Sequence, residues 1–174
     1  MRRHFDIYLV LSILVLASGL LHADCGEQVK NSADGSDPTP SEIDRFFGQT
    51  LYVPVYSHIY NFSRKRRYNL AATLSIRNTD LDHPITVTSV QYFGSDGTLL
   101  KDYLQKHLRL DQLASVDYVV DERDTEGGSG ANFVVRWGAE KAVTAPVIES
   151  VMISSGTQGV SFLSPGRVIR QCSP

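Results

Sequence analysis

From Gln49 onward, hydrophobic and polar residues alternate with a period of two. That is the spacing of half-buried β-strands. Leu70, Ala72, Leu74 and Ile76 alternate with Ala71, Thr73, Ser75 and Arg77. Ala131, Phe133, Val135 and Trp137 alternate with Asn132, Val134 and Arg136, and Val116, Tyr118 and Val120 stand against Ser115 and Asp117. Pro84 to Phe93 is rich in β-branched residues and runs into Gly94-Ser-Asp-Gly97, after which Thr98 to Tyr103 reads as the returning arm of a hairpin. Leu99, Leu100, Tyr103, Leu104, His107 and Leu108 also fit helical spacing. The Asp96-Gly97 turn and the neighbouring strands favour strand followed by loop. Val147 to Ser154 and Val160 to Leu163 are further strands, with Gly156 and Gly159 between them, and Arg167 to Arg170 adds a last short one.

The pattern predicts seven to nine short strands and no helix long enough for a parallel crossover. An all-β fold follows, an antiparallel β-sandwich of immunoglobulin-like type, although no cysteine lies inside the strand region. Trp137 reads as a core residue. The sandwich is expected over residues 49–170, with 171–174 as a tail and no internal repeat.

Upstream the periodicity stops. Residues 24–48 read as a polar linker, with breakers throughout Asn31-Ser-Ala-Asp-Gly-Ser-Asp-Pro-Thr-Pro40. Ser41 to Phe47 fits one short helical turn, capped by Ser41 and stopped by Gly48. Residues 1–23 have the layout of a secretory signal peptide. Arg2 and Arg3 are followed by the apolar run Ile7 to Leu16 and by small residues ending at Leu21-His-Ala23. The uncharged stretch from Ile7 to Leu21 is short for a membrane span of about 20 residues. Cys25 admits a lipidated start, but Asp24 directly before it fits that signal poorly.

Composition narrows the function classes. The 174 residues carry a formal charge of −2, with a pI near 6.2. Loss of Arg2, Arg3 and Asp6 with the signal makes the charge −3. Neither value suits a protein that holds nucleic acid by bulk positive charge. The two cysteines, Cys25 and Cys172, exclude a disulfide-dense scaffold and a four-cysteine zinc site. In an oxidising compartment they can pair and tie the chain ends together. Two free thiols or a lipidated Cys25 are the alternatives.

Four segments together resemble a known family. They are Leu51-Tyr-Val-Pro-Val-Tyr-Ser-His-Ile-Tyr60, Ala72-Thr-Leu-Ser-Ile-Arg-Asn-Thr-Asp80, Gly127-Gly-Ser-Gly-Ala-Asn-Phe-Val-Val-Arg-Trp137 and Gln158-Gly-Val-Ser-Phe-Leu-Ser-Pro-Gly-Arg-Val-Ile169. In this order they resemble a family of small exported bacterial domains of unknown function. The resemblance implies one compact β-rich domain in the envelope or outside the cell. It brings no activity and no catalytic residues.

The candidate chemistry is sparse. Gly127-Gly-Ser-Gly130 can present backbone N–H groups to a phosphate, but it leads into a strand and matches no phosphate-loop spacing. A tight turn is the plainer reading. Asp121, Glu122, Asp124 and Glu126 form an acidic cluster that can attract a metal such as Ca²⁺, although Arg123 interrupts the ligand spacing. Asp80, Asp82 and His83 lie in Asn78-Thr-Asp-Leu-Asp-His-Pro84, which reads first as a turn. Tyr52, Tyr56, His58 and Tyr60 fall on one face of a single strand, a strip able to stack on sugars or peptides. Pro54 marks that strand as an edge. Arg64-Lys-Arg-Arg67 (Arg64, Lys65, Arg66 and Arg67) is the basic run, expected in the loop after it and suited to anionic partners.

These features describe an exported envelope protein, periplasmic or secreted. The expected role is a non-enzymatic binding module with an envelope protein, glycan or peptide as partner. No cofactor and no nucleic acid are implied, and membrane contact enters through an N-terminal tether. The alternatives are a tethered structural module using an exposed edge strand and, further off, a metal-dependent hydrolase at the acidic loop.

Overall fold

The computed structural model describes residues 45–155 and 159–172. The signal segment, most of the linker, Cys25, the turn at 156–158 and residues 173–174 lie outside them. Among the described residues there are twelve strands: β1 (Arg45–Pro54), β2 (His58–Asn61), β3 (Ser63–Asn69), β4 (Ala71–Arg77), β5 (Ile85–Phe93), β6 (Leu99–Asp102), β7 (Leu108–Leu110), β8 (Ser115–Val120), β9 (Asn132–Thr144), β10 (Val147–Ser154), β11 (Val160–Pro165) and β12 (Arg167–Cys172). One sheet has the order β12-β1-β9-β5-β6, with β7 also pairing β5; the second has the order β11-β10-β4-β8. All pairings are antiparallel. In the immunoglobulin layout the first and last strands lie in different sheets; here β12 pairs with β1 in the same sheet.

The alternation read from the sequence is the packing of the core. Leu74 and Ile76 of β4, Phe133 and Val135 of β9, and Ile148 and Met152 of β10 are all buried, and Trp137 lies among them. In β5 the apolar phase slips by one residue, from Ile85 and Val87 to Val90 and Tyr92. A register shift against β9 between Val87 and Ser89 absorbs the slip, so both pairs point inward. Ser150, buried on β10, donates its hydroxyl to the Pro54 carbonyl at 2.7 Å.

Four expectations change. Arg45 to Phe47 belong to β1, not to a helical turn; the remainder of that turn lies outside the described residues. Pro54 does not mark an edge: β1 lies between β12 and β9. Pro54 is the last residue of β1, beyond Tyr52↔Arg167 where pairing with β12 ends, so the proline interrupts no ladder on that side. The expected strand over Leu51 to Tyr60 breaks after Pro54 and resumes as β2. The basic run extends β3 instead of forming a loop.

Candidate functional site

The break after Pro54 releases a hairpin. β2 and β3 pair with each other in a two-stranded sheet of their own, outside both main sheets. The root of the hairpin is fixed through Ser57. Its N–H donates to the Gly128 carbonyl, its carbonyl accepts from the Leu70 N–H, each at 2.9 Å, and its hydroxyl bonds the buried Tyr92 hydroxyl at 2.9 Å.

The glycine-rich stretch is thereby explained. Gly128 takes φ +76°, and a side chain at Gly127 would collide with Tyr92. Ser95 donates its hydroxyl to the Gly127 carbonyl and accepts from the Gly130 N–H, both at 2.8 Å. The segment is a clasp on the hairpin root, with its polar groups turned to the protein.

The hairpin itself is basic and aromatic. The register passes from Tyr60↔Arg67 to Asn61↔Ser63, which leaves Arg64, Lys65 and Arg66 in a bulge without partners on β2. All four cations are exposed. At the tip, Phe62 is 93% exposed and has φ +58°. Tyr60 is 46% exposed and lies under the Arg67 guanidinium, 5.9 Å from its ring centre. His58 packs edge-on against the same ring at 5.3 Å. His58 is 4% exposed, and neither ring nitrogen has a hydrogen-bond partner. Burial, followed by the nearby Arg67 charge, holds its pKa below the ordinary histidine value.

The aromatic strip expected from the sequence is not one surface. Tyr52 is half-buried on β1 between Arg167 and Val134. Tyr56 packs its ring against Phe162 at 5.7 Å. His58 is buried, which leaves Tyr60 as the exposed member. The chain between Pro54 and His58 leaves β1, and with it goes the period that would have aligned the four rings. Phe62 was missed because it stands outside any alternation, between Asn61 and Ser63. The available signal was an isolated aromatic beside four consecutive cations.

The acidic cluster is spread along a turn. Asp121 accepts from the Arg123 N–H at 2.8 Å and Asp124 from the Glu126 N–H at 3.2 Å. Glu122 accepts the Ser155 hydroxyl at 2.6 Å. Asp121, Glu122 and Ser155 share an open cleft of about 670 Å³ with Arg123, Asn69, Ala71 and Val119. No histidine lines it among the described residues.

Asp80, Asp82 and His83 do converge, with ligand-type atoms within 4.8 Å of one another. The buried Asp80 carboxylate is already engaged: it accepts the N–H groups of Asp82 at 3.0 Å, His83 at 2.9 Å and Thr144 at 2.8 Å. Asn78 beside it donates to the carbonyls of His83, Leu110 and Asp111. This is the turn the sequence suggested, fastened to the ends of β7 and β9. Cys172, the described member of the cysteine pair, ends β12 half-buried and is not a free thiol.

The family model described as "Protein of unknown function (DUF3124)" matches residues 48–169, the stretch from Gly48 in β1 to Ile169 in β12. The chain belongs to the DUF3124 family. The clasp at 127–130, the β2–β3 hairpin and the Asp80 turn all fall inside the DUF3124 segment. A comparison with curated proteins found no match. Among solved structures, Thermotoga maritima 1070 is similar at 12% identity, covering 71% of this chain and 96% of that one with a TM-score of 0.41. A likeness of that degree carries no argument about this DUF3124 protein.

Proposed function

We propose that this chain is an exported, non-enzymatic binding module of the bacterial envelope, and that the β2–β3 hairpin is its contact surface. One observation carries the reading. The hairpin stands apart from both sheets and presents Phe62 and four cations to solvent, and none of those cations has an ion-pair partner among the described residues. The root of β2 packs on the core through His58 and Ile59, but the tip and the cations contribute little to it and suit contact with something outside. Export rests on the N-terminal segment, from Arg2 and Arg3 through the apolar run to Ala23.

A photoreactive residue placed at position 62 in intact cells tests the surface. The control position is Leu113, which is also exposed, also has positive φ and is not beside the basic run. Adducts at 62 and none at 113 are expected. Equal labelling at both positions, or none at either, would sink the reading.

A second reading draws on β11 and β12, which lie at sheet edges and expose Leu163, Val168 and Ile169. A tethered structural module would use those edges to pair with a neighbour. It predicts adducts at Ile169 instead of Phe62.

A further inference from the structure

The hairpin's own chemistry narrows the partner, in a step that rests on the binding-module reading above. We propose that the β2–β3 hairpin docks the domain on an anionic phospholipid bilayer, with Phe62 entering the headgroup region and Arg64 to Arg67 held against the lipid phosphates. The conformation of Phe62 comes first. A bulky residue in the left-handed region is strained, and here nothing is gained from packing, because the side chain is 93% exposed. A turn optimised for the fold alone would carry glycine or asparagine there. Leu113 shares the exposure and the positive φ, so what sets Phe62 apart is the run of four exposed cations beside it.

Shape decides between coverings. The ring stands exposed at the turn between β2 and β3 with long cationic side chains beside it. A sugar site needs open aromatic faces, yet the Tyr60 ring is occupied by Arg67 and by the edge of His58, which leaves the lone Phe62 ring at the tip. A rigid protein partner needs roughly 800 Å² of complementary surface, and a bulge of flexible cations offers little fixed shape. A bilayer interface deforms around a wedge and supplies negative charge at the same depth.

Charge distribution agrees. The chain as a whole is at −2, so with the hairpin's four cations set aside the remainder is at −6. An acidic body with one basic finger is oriented by an anionic surface, finger first. The hairpin root is rigid enough to transmit that orientation, since Ser57 fixes it to Gly128, Leu70 and Tyr92.

The test uses the full chain recovered after export from its own host. Because Trp137 is buried, a Phe62→Trp variant adds a tip probe against a quiet background. With phosphatidylglycerol-rich vesicles its emission should shift to the blue and be quenched by brominated lipid. With pure phosphatidylcholine it should not, and a Leu113→Trp control should stay unchanged with both. A tether elsewhere in the chain would bring the protein to both vesicles without moving the tip probe. In sedimentation with the anionic vesicles, each cation replaced by serine should lower partition about fivefold, and Phe62→Ser about tenfold. High salt should weaken the binding in parallel. No shift at position 62 or an equal shift with both vesicles would overturn the proposal, and so, for a chain whose mass carries no acyl groups, would partition indifferent to the four cations. If those arms fail while position 62 still crosslinks to a protein or glycan in cells, the bilayer is wrong and the binding module stands. If both fail, both readings fall.

Discussion

Asp80 shows how much one side chain can organise. Its carboxylate satisfies three backbone N–H groups that burial would otherwise leave without partners, one of them at the end of β9. Asp80→Ala should lower unfolding stability by about 3 kcal/mol, with Asp80→Asn losing less because one acceptor oxygen remains. Urea unfolding would show this as a lower midpoint at unchanged slope. Chelator treatment should leave the wild-type midpoint where it is; a fall would mean that Asp80, Asp82 and His83 hold a cation after all. His58 makes the opposite contribution. Its folded pKa is lowered, first by burial and then by Arg67. The unfolded chain therefore takes up the proton first as pH falls, and stability is lost progressively below about pH 6.5. A His58→Phe variant should lose less stability than wild type between about pH 7.5 and pH 5. Parallel thermal melts at the two pH values would decide it, and equal losses would remove His58 as the cause.

Elements read from alternation proved to be the ones whose two faces differ. β4, β5 and the first half of β9, Asn132 to Trp137, bury every second residue, and even the slip in β5 leaves its trace in the sequence as Val87-Thr-Ser-Val90. β3 was illegible because Ser63 to Arg67 has no buried face, so nothing in its pattern separates a strand from a loop. β7 is three residues long and is held by pairing with β5, a tertiary fact. For the same reason the candidate site was legible by composition and not by arrangement: Phe62 and the cations are neighbours in the sequence, but their projection on a hairpin of its own depends on the break after Pro54. The passage from β11 to β12 is a further case. Gly166 donates its N–H to the Ile148 carbonyl at 2.8 Å, and a Cβ there would stand 2.8 Å from that oxygen and 3.2 Å from Leu51. The backbone carbonyl cannot yield as a flexible side-chain end would. Gly166→Ala should therefore cost about 2 kcal/mol in denaturant unfolding. A loss near zero would show that β12 can shift outward and that the contact is slack.

At the scale of the molecule, the ends of the sandwich are brought together by the fold itself. β12 pairs with β1, and Cys172 stands opposite Gly48. Cys172 thus stands where the first and last described strands meet. The two cysteines are 25 and 172 in sequence, and Cys172 is not a free thiol. Intact mass of the chain recovered from its own host should show no alkylation before reduction and two alkyl groups after it. Cutting so long a loop free in the unfolded state has a chain-entropy limit of about 5 kcal/mol. The realised loss in Cys172→Ser should be smaller, because Cys172 sits at the end of an edge strand where local fraying gives back part of the constraint. A mass that begins at Cys25 with added acyl groups would give the opposite architecture. The sandwich would then hang from the membrane by residues 26–44, and its basic hairpin would act as a second contact on a surface already reached. In that case the four cations should affect how the domain lies on anionic vesicles, read by quenching at position 62, and hardly affect how much of it sediments.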